Sequence, residues 1–256
     1  MKDDTMTHIK INSEHTVEII DLTFRGKGVS KVDDFTIFVD DAIPGDVVRI
    51  IVYDVKRTYA LASLIEIINP SHDRAEVLDE RLDTIPLQHL HYQKQLEYKQ
   101  KWIYDTLRRA VNIQWNQIEK TMGMEDPWHY RNKAQIPTRM VNGQLETGIF
   151  KAESNTFIPV ENYYIQDKVI DETLMIIKRI LNEFHVLAYN PKDKSGFLRH
   201  IIIRKGHVSH ELMVIFVTQN KPFPYEREIV QAILEKCPNV VSIIQNINVH
   251  HNNIVM

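Results

Sequence analysis

Aromatic and cationic side chains interleave in one short run of the sequence, Trp128-His129-Tyr130-Arg131-Asn132-Lys133-Ala134-Gln135. These types suit single-stranded nucleic acid, because rings stack on bases while guanidinium and ammonium groups meet phosphates. If the run opens a strand, alternate residues share a face, which makes Tyr130, Arg131, Asn132, Lys133 and Gln135 candidate contacts. The same residues also suit a domain boundary anchored by Trp128 and Tyr130 with solvated charges, and spacing does not choose between the two readings. A second group, Phe197-Leu198-Arg199-His200, leads into a strand, and Gln245-Asn246-Ile247-Asn248 closes the last one. Amides at a strand end commonly cap turns, so this group also carries a purely structural reading.

Enzyme machinery is sparse. No glycine-rich dinucleotide loop follows a strand, and no phosphate-loop or paired-histidine metalloprotease motif is present. The twelve histidines are scattered without an acid at ligand spacing, which favours surface or satisfied histidines over a metal site. The single cysteine, Cys237, precedes Pro238 near the end of an expected helix. It reads as a small buried hydrophobe, since a catalytic thiolate needs a lowered pKa and an oriented base. One cysteine also excludes an internal disulfide and fits a reducing compartment, so the expected location is cytoplasmic. A formal net charge of −3 means that any basic surface must be local. The polar start has no apolar leader core, and no run is long enough to cross a bilayer.

The elements that must position these residues follow from periodicity. Residues 17–67 read as about five short strands separated by turns, a pattern that suits an OB-like barrel whose outer face binds single strands. Asn69-Pro70-Ser71 ends that module. Residues 87–111 carry a helical period, with Leu90, Leu96, Trp102, Ile103 and Leu107 as candidate buried positions and Lys94, Lys99, Lys101, Arg108 and Arg109 on a solvated face. After Asp126-Pro127 the pattern is mixed: strands at 130–141 and 144–150, a helix at 167–184, strands at 198–205 and 211–218, a helix at 225–236 and a strand at 240–248. Short turns such as Asn142-Gly143 predict a mainly antiparallel sheet with helices on one face.

On these residues the chain resembles the RNA uracil-5-methyltransferase family, particularly its 23S ribosomal branch. The barrel is similar to a TRAM domain through Arg25-Gly26-Lys27-Gly28-Val29, Ala42-Ile43-Pro44-Gly45-Asp46 and Asn69-Pro70-Ser71. Pro86-Leu87-Gln88-His89-Leu90, Tyr130-Arg131-Asn132-Lys133-Ala134-Gln135, Leu198-Arg199-His200 and Ser242-Ile243-Ile244-Gln245-Asn246-Ile247-Asn248 follow in the family's order. The resemblance implies an α+β protein, an N-terminal OB-like TRAM barrel followed by an α/β domain, that holds RNA around a uridine flipped from its stack. It implies RNA contacts at Arg25, Lys27, Lys56, Arg57, Tyr130, Arg131, Asn132, Lys133, Gln135, Arg199 and His200. It also implies S-adenosylmethionine for the full-length family, with ribosomal RNA as first partner and transfer RNA as second. Residues 74–85 contain no cysteine, so no iron–sulfur cluster is expected.

The resulting expectation has four parts: a polar tail at 1–10, a barrel at 11–69, a linker with an amphipathic helix at 70–125, and a central domain at 126–256. The family's Rossmann-like catalytic domain, with its S-adenosylmethionine pocket, would be missing or separately encoded and would contact this chain. On that reading the chain binds RNA, holds no cofactor or catalytic residue of its own, and is inactive alone. The alternative is a free-standing RNA-binding accessory protein.

Overall fold

The computed structural model describes residues 9–79, 85–111, 113–151, 154, 156–219 and 222–249. The expected tail at 1–10 lies almost wholly outside them, as does the end of the chain from His250. Two compact units meet in sequence at residues 125 and 126.

The first unit is built on six strands: β1 (Glu14–Glu18), β2 (Asp21–Leu22), β3 (Gly28–Val32), β4 (Phe35–Val39), β5 (Val47–Val55) and β6 (Tyr59–Asn69). Apolar residues alternate with polar ones along them, so that Val48, Ile50 and Val52 of β5 and Ala60 and Ala62 of β6 share a core with Val17, Ile37 and Val39. The sheet order is β1-β5-β6-β4-β3-β2. β1 pairs with β5 and β2 with β3, and only Ile19 and Ile20 lie between β1 and β2. One bent strand therefore closes the sheet, and the parallel β4–β6 pair completes a Greek-key barrel. The segment from Phe24 to Lys27 is a turn between β2 and β3, in which Gly26 donates to Thr23 and takes φ +83°.

Asp46 ties the barrel to the segment after β6. Its fully buried carboxylate accepts from the amides of Ile43 (2.9 Å) and Ser71 (2.8 Å) and from the Arg74 guanidinium (2.7 Å). The stretch read as a linker and helix belongs to this unit. Leu90 is buried with Leu22 and Ile43, and Leu87, Tyr98 and Trp102 pack against them. The helix, α1 (Tyr92–Val111), is seated by Trp102, whose indole N–H donates to the Leu22 carbonyl (2.8 Å), and by Lys101, which reaches Asp21 (2.9 Å). Of the positions expected to be buried only Leu90 is; Leu96, Trp102 and Leu107 are partly covered and Ile103 is 51% exposed, because a narrower face of the helix than the apolar pattern implies meets the barrel. A 3-10 turn, Trp115–Gln117, follows, and Trp115 packs edge-on against Tyr104.

The second unit holds β7 (Lys133–Val141), β8 (Gln144–Phe150), β9 (Phe157–Pro159), α2 (Lys168–Glu183), β10 (Leu198–Lys205), β11 (Leu212–Thr218), α3 (Glu226–Lys236) and β12 (Val240–Ile247). Its sheet runs β12-β11-β10-β7-β8-β9 and is antiparallel except for the β11–β12 pair. Asn142 (φ +51°) and Gly143 (φ +81°) form the two-residue turn joining β7 to β8, the conformation that right-handed strand twist demands. The Asp167 carboxylate caps α2 by accepting from the Val169 amide. Ile170, Leu174, Ile177 and Leu181 follow at helical spacing and are buried, and α2 lies against β8 and β10 while α3 lies against β12. Thus the fold is mixed α+β, with two sheets and three α-helices among the described residues.

Candidate nucleic-acid interface

The barrel's candidate cations sit on two turns. Arg25 and Lys27 lie between β2 and β3, and Lys56 and Arg57 lie between β5 and β6. These are the two connections through which barrels of this topology bind oligonucleotides. Not all four cations are available to a ligand. Lys27 is engaged by Asp40 and lies 3.4 Å from the Tyr53 hydroxyl. Burial works to lower its pKa, but Asp40 and Tyr53 outweigh that and hold it above its ordinary value. Lys56 pairs with Asp54 at 2.8 Å, and hydrogen bonding to that carboxylate raises its pKa. Arg25 and Arg57 are exposed and have no carboxylate partner among the described residues. Phe24, which the sequence reading passed over, is 71% exposed at the tip of the first turn with the Arg25 guanidinium 5.6 Å from its ring centre. An exposed ring beside a free cation is the arrangement that accepts a stacked base, and the signal for it in sequence was its place next to Arg25.

In the second unit the interleaved run does not begin as a strand. His129 takes a left-handed φ of +53°, and its imidazole Nδ1 lies 2.9 Å from the Gln166 carbonyl. The Arg131 amide donates to Ile165 and its carbonyl accepts from the Asp167 amide, so the strand starts only at Lys133. The expected alternation from Trp128 therefore fails, although its outcome at the surface stands: Tyr130 is 51% exposed, and Arg131, Asn132, Lys133 and Gln135 are exposed with it. Lys205, whose amide donates to the Asn132 carbonyl, makes a 2.5 Å ion pair with Asp167 and so fixes this segment to the start of α2.

Arg199 and His200 are placed differently. Arg199 is buried; it donates to the Asn248 carbonyl (2.9 Å) and lies over the Tyr189 ring. His200 is half-buried and its Nδ1 has no hydrogen-bond partner among the described residues. Burial, then the Arg199 and Arg139 cations, push its pKa down to about 4, which keeps the ring neutral at physiological pH. The structure thus gathers Tyr130, Arg131, Asn132, Lys133 and Gln135 at one surface and turns Arg199 inward. Cys237 is buried, and burial raises the pKa of its thiol, so it is not a poised nucleophile.

Among the described residues no group of three or more histidine, cysteine or acidic side chains could hold a metal ion. Nor do the described glycines form a cradle for S-adenosylmethionine. At Gly28, Gly148 and Gly196 an added Cβ would strike the chain's own carbonyls at Ala42, Ile158 and Ala188, so these positions serve internal packing. No described helix is long and apolar enough to cross a membrane.

Fold and surface together define an α+β protein with an N-terminal TRAM domain, the family that residues 10–65 match. Across nearly its whole length the chain is homologous to proteins named as RNA methyltransferases. One from Enterococcus faecalis is 41% identical over 251 residues, 96% of this chain and 55% of that protein. One from Clostridium acetobutylicum is 35% identical over 253 residues, 97% of this chain and 55% of that protein. The solved tRNA (uracil-54, C5)-methyltransferase of Pyrococcus abyssi, in complex with S-adenosyl-L-homocysteine, shares the fold with a TM-score of 0.68. It is 22% identical, and the match covers 94% of this chain and 53% of that one. The chain spans about half the length of the curated relatives it matches.

These matches correct the expectation of a catalytically inactive RNA-binding chain. The similarity to proteins named as methyltransferases extends through both units and covers 93–97% of the chain. It supports neither an inactive remnant nor a free-standing accessory protein, and it does not single out the ribosomal branch.

Proposed function

We propose that this chain serves an S-adenosylmethionine-dependent RNA methyltransferase that forms 5-methyluridine, and that its two units hold the RNA. The observation that carries the RNA part is the surface at the start of β7, where an exposed aromatic ring, Tyr130, stands with Arg131 and Lys133. Neither cation has a carboxylate partner among the described residues. Uncompensated cations beside a ring match the phosphate-plus-base chemistry of a single-stranded nucleotide. The homologous RNA methyltransferases and the fold shared with a uracil C5 enzyme support the reaction. The motif order favours ribosomal RNA as substrate, and the structural neighbour favours transfer RNA as the second reading.

The test is nucleoside analysis. The gene is deleted, ribosomal and transfer RNA are purified separately, and 5-methyluridine is measured in each by mass spectrometry. Loss from ribosomal RNA, restored by the wild-type gene and poorly by Arg131→Gln/Lys133→Gln, is the expected result. Loss confined to transfer RNA moves the assignment to the second reading, and unchanged 5-methyluridine in both pools overturns the proposal.

A further inference from the structure

The register between β7 and β10 places His200 opposite Pro137, Ile202 opposite Gln135 and Arg204 opposite Lys133. Residues directly opposite in an antiparallel pair project from the same face with Cβ atoms about 5 Å apart. Lys133 and Arg204 are therefore two cations held side by side at the end of the ladder, both exposed. Like charges in this position repel and destabilise the pair unless something negative lies between or over them.

Nothing negative does so among the described residues. The ion pairs of this unit engage Lys178, Lys205 and Lys236. The contrast with Lys205, next to Arg204 in the chain, is direct, because Lys205 turns to Asp167 and is neutralised there. Arg204 and Lys133 stand on the opposite face from that pair, and Lys133 lies two residues along the chain from Arg131 and three from the exposed Tyr130.

We infer that Arg204, which the motif reading did not single out, forms with Lys133 a clamp for one phosphate of the RNA backbone. The inference rests on the RNA-binding reading above. A guanidinium and an ammonium at this spacing can share one phosphodiester, Arg204 giving two parallel N–H donors and Lys133 a point charge. The Tyr130 ring, close in the chain, is then placed for the base of a neighbouring nucleotide. The arrangement costs the free protein some stability, and bound RNA removes that cost.

The experiment measures binding of the full chain to a uridine-containing single-stranded oligoribonucleotide as a function of salt, and the melting temperature without RNA. Arg204→Gln is expected to weaken binding about tenfold near 0.1 M salt and to flatten the slope of log affinity against log salt by about 0.7, the value for one lost phosphate contact. Combining it with Lys133→Gln should cost less than the sum of the single changes, since both act on one phosphate. In low salt each single variant should melt about 1–2 °C higher than wild type, because repulsion is relieved. Arg204→Lys should recover most of the salt slope.

An unchanged slope in Arg204→Gln, while Arg131→Gln/Lys133→Gln flattens it, overturns the clamp and leaves the RNA-binding reading intact. Weaker binding accompanied by a lower melting temperature also overturns it, by assigning Arg204 a structural role. A wild-type chain that does not bind RNA overturns both.

Discussion

Each unit buries one aspartate against backbone amides, and the two carboxylates are held in opposite electrostatic states. In the barrel unit, burial would raise the pKa of Asp46, but Arg74 and the amides of Ile43 and Ser71 outweigh it and hold it below its ordinary value. In the second unit, burial pushes Asp171 up to about 6; the Tyr163 amide and His129 oppose this, while Asp167 and Glu172 add to it. Asp171 accepts from the Tyr163 amide at 3.2 Å and makes no ion pair among the described residues. The difference lies in the partner and not in the residue type. The same lesson holds for the surface cations: Lys27 and Lys56 have carboxylates in reach, whereas Arg131, Lys133 and Arg204 have none among the described residues. A charge left uncompensated is the one to examine for a ligand.

Breaking the better-paired carboxylate has the largest expected effect. Asp46→Asn leaves the Arg74 guanidinium without its counter-charge and should destabilise the barrel unit by roughly 3 kcal/mol in urea unfolding. That is the low end for a broken buried pair, because the Arg74 side chain keeps 17% of its surface in water. The second carboxylate predicts the opposite sign. Asp171 rises from an ordinary 3.8 to about 6, so the folded state holds a proton that the unfolded chain has lost. Its ionisation therefore weakens the fold as pH rises from about 4 to about 6. Asp171→Asn should stabilise the second unit by on the order of 2 kcal/mol at pH 8 and hardly at all at pH 4. Asp46 behaves conversely: with a depressed folded pKa, its contribution is complete above its ordinary value and is lost as pH falls through the folded one. Unfolding of wild type and both variants at pH 3, 5 and 8 sharpens the comparison, and parallel pH profiles for the two variants would remove it.

Smaller effects concern the surfaces. Arg131→Gln/Lys133→Gln should weaken binding of the oligoribonucleotide by well over tenfold and flatten its salt slope by about 1.4, whereas Lys27→Gln should leave the slope nearly unchanged because Asp40 already neutralises that cation. Equal slope changes would show that compensation does not decide which cation meets RNA. Lys56→Gln, at an exposed pair, should leave the melting temperature unaltered within error.

Much of the fold was legible in local pattern. Alternation in β5 and β6, the Asn142-Gly143 turn, the Asp167 cap and the period of α2 are each properties of a few adjacent residues. Closure of the barrel was less so, since it depends on β4 pairing in parallel with β6, from which β5 separates it in the chain. The seat of α1 depends on Trp102 reaching Leu22, 80 residues away. The site divides in the same way. Exposed cations could be named from their neighbours, but the inward turn of Arg199 and the pairing of Lys27 with Asp40 are set by distant contacts. The left-handed His129 was also hidden, because the contacts that hold it come from residues 164–166.

The turn at Asn142-Gly143 governs tolerance to insertion and deletion. Side chains along a strand change face at every residue, so one residue added or lost there would offset β8 against β7 by a single step. Leu145, Thr147 and Ile149, now buried, would face water, while Glu146 would leave its 2.9 Å ion pair with Lys178 of α2. Length variants in natural or laboratory libraries should accordingly be excluded from this turn and accepted in the turn at 206–211, where Gly206 and Val208 to Glu211 are exposed.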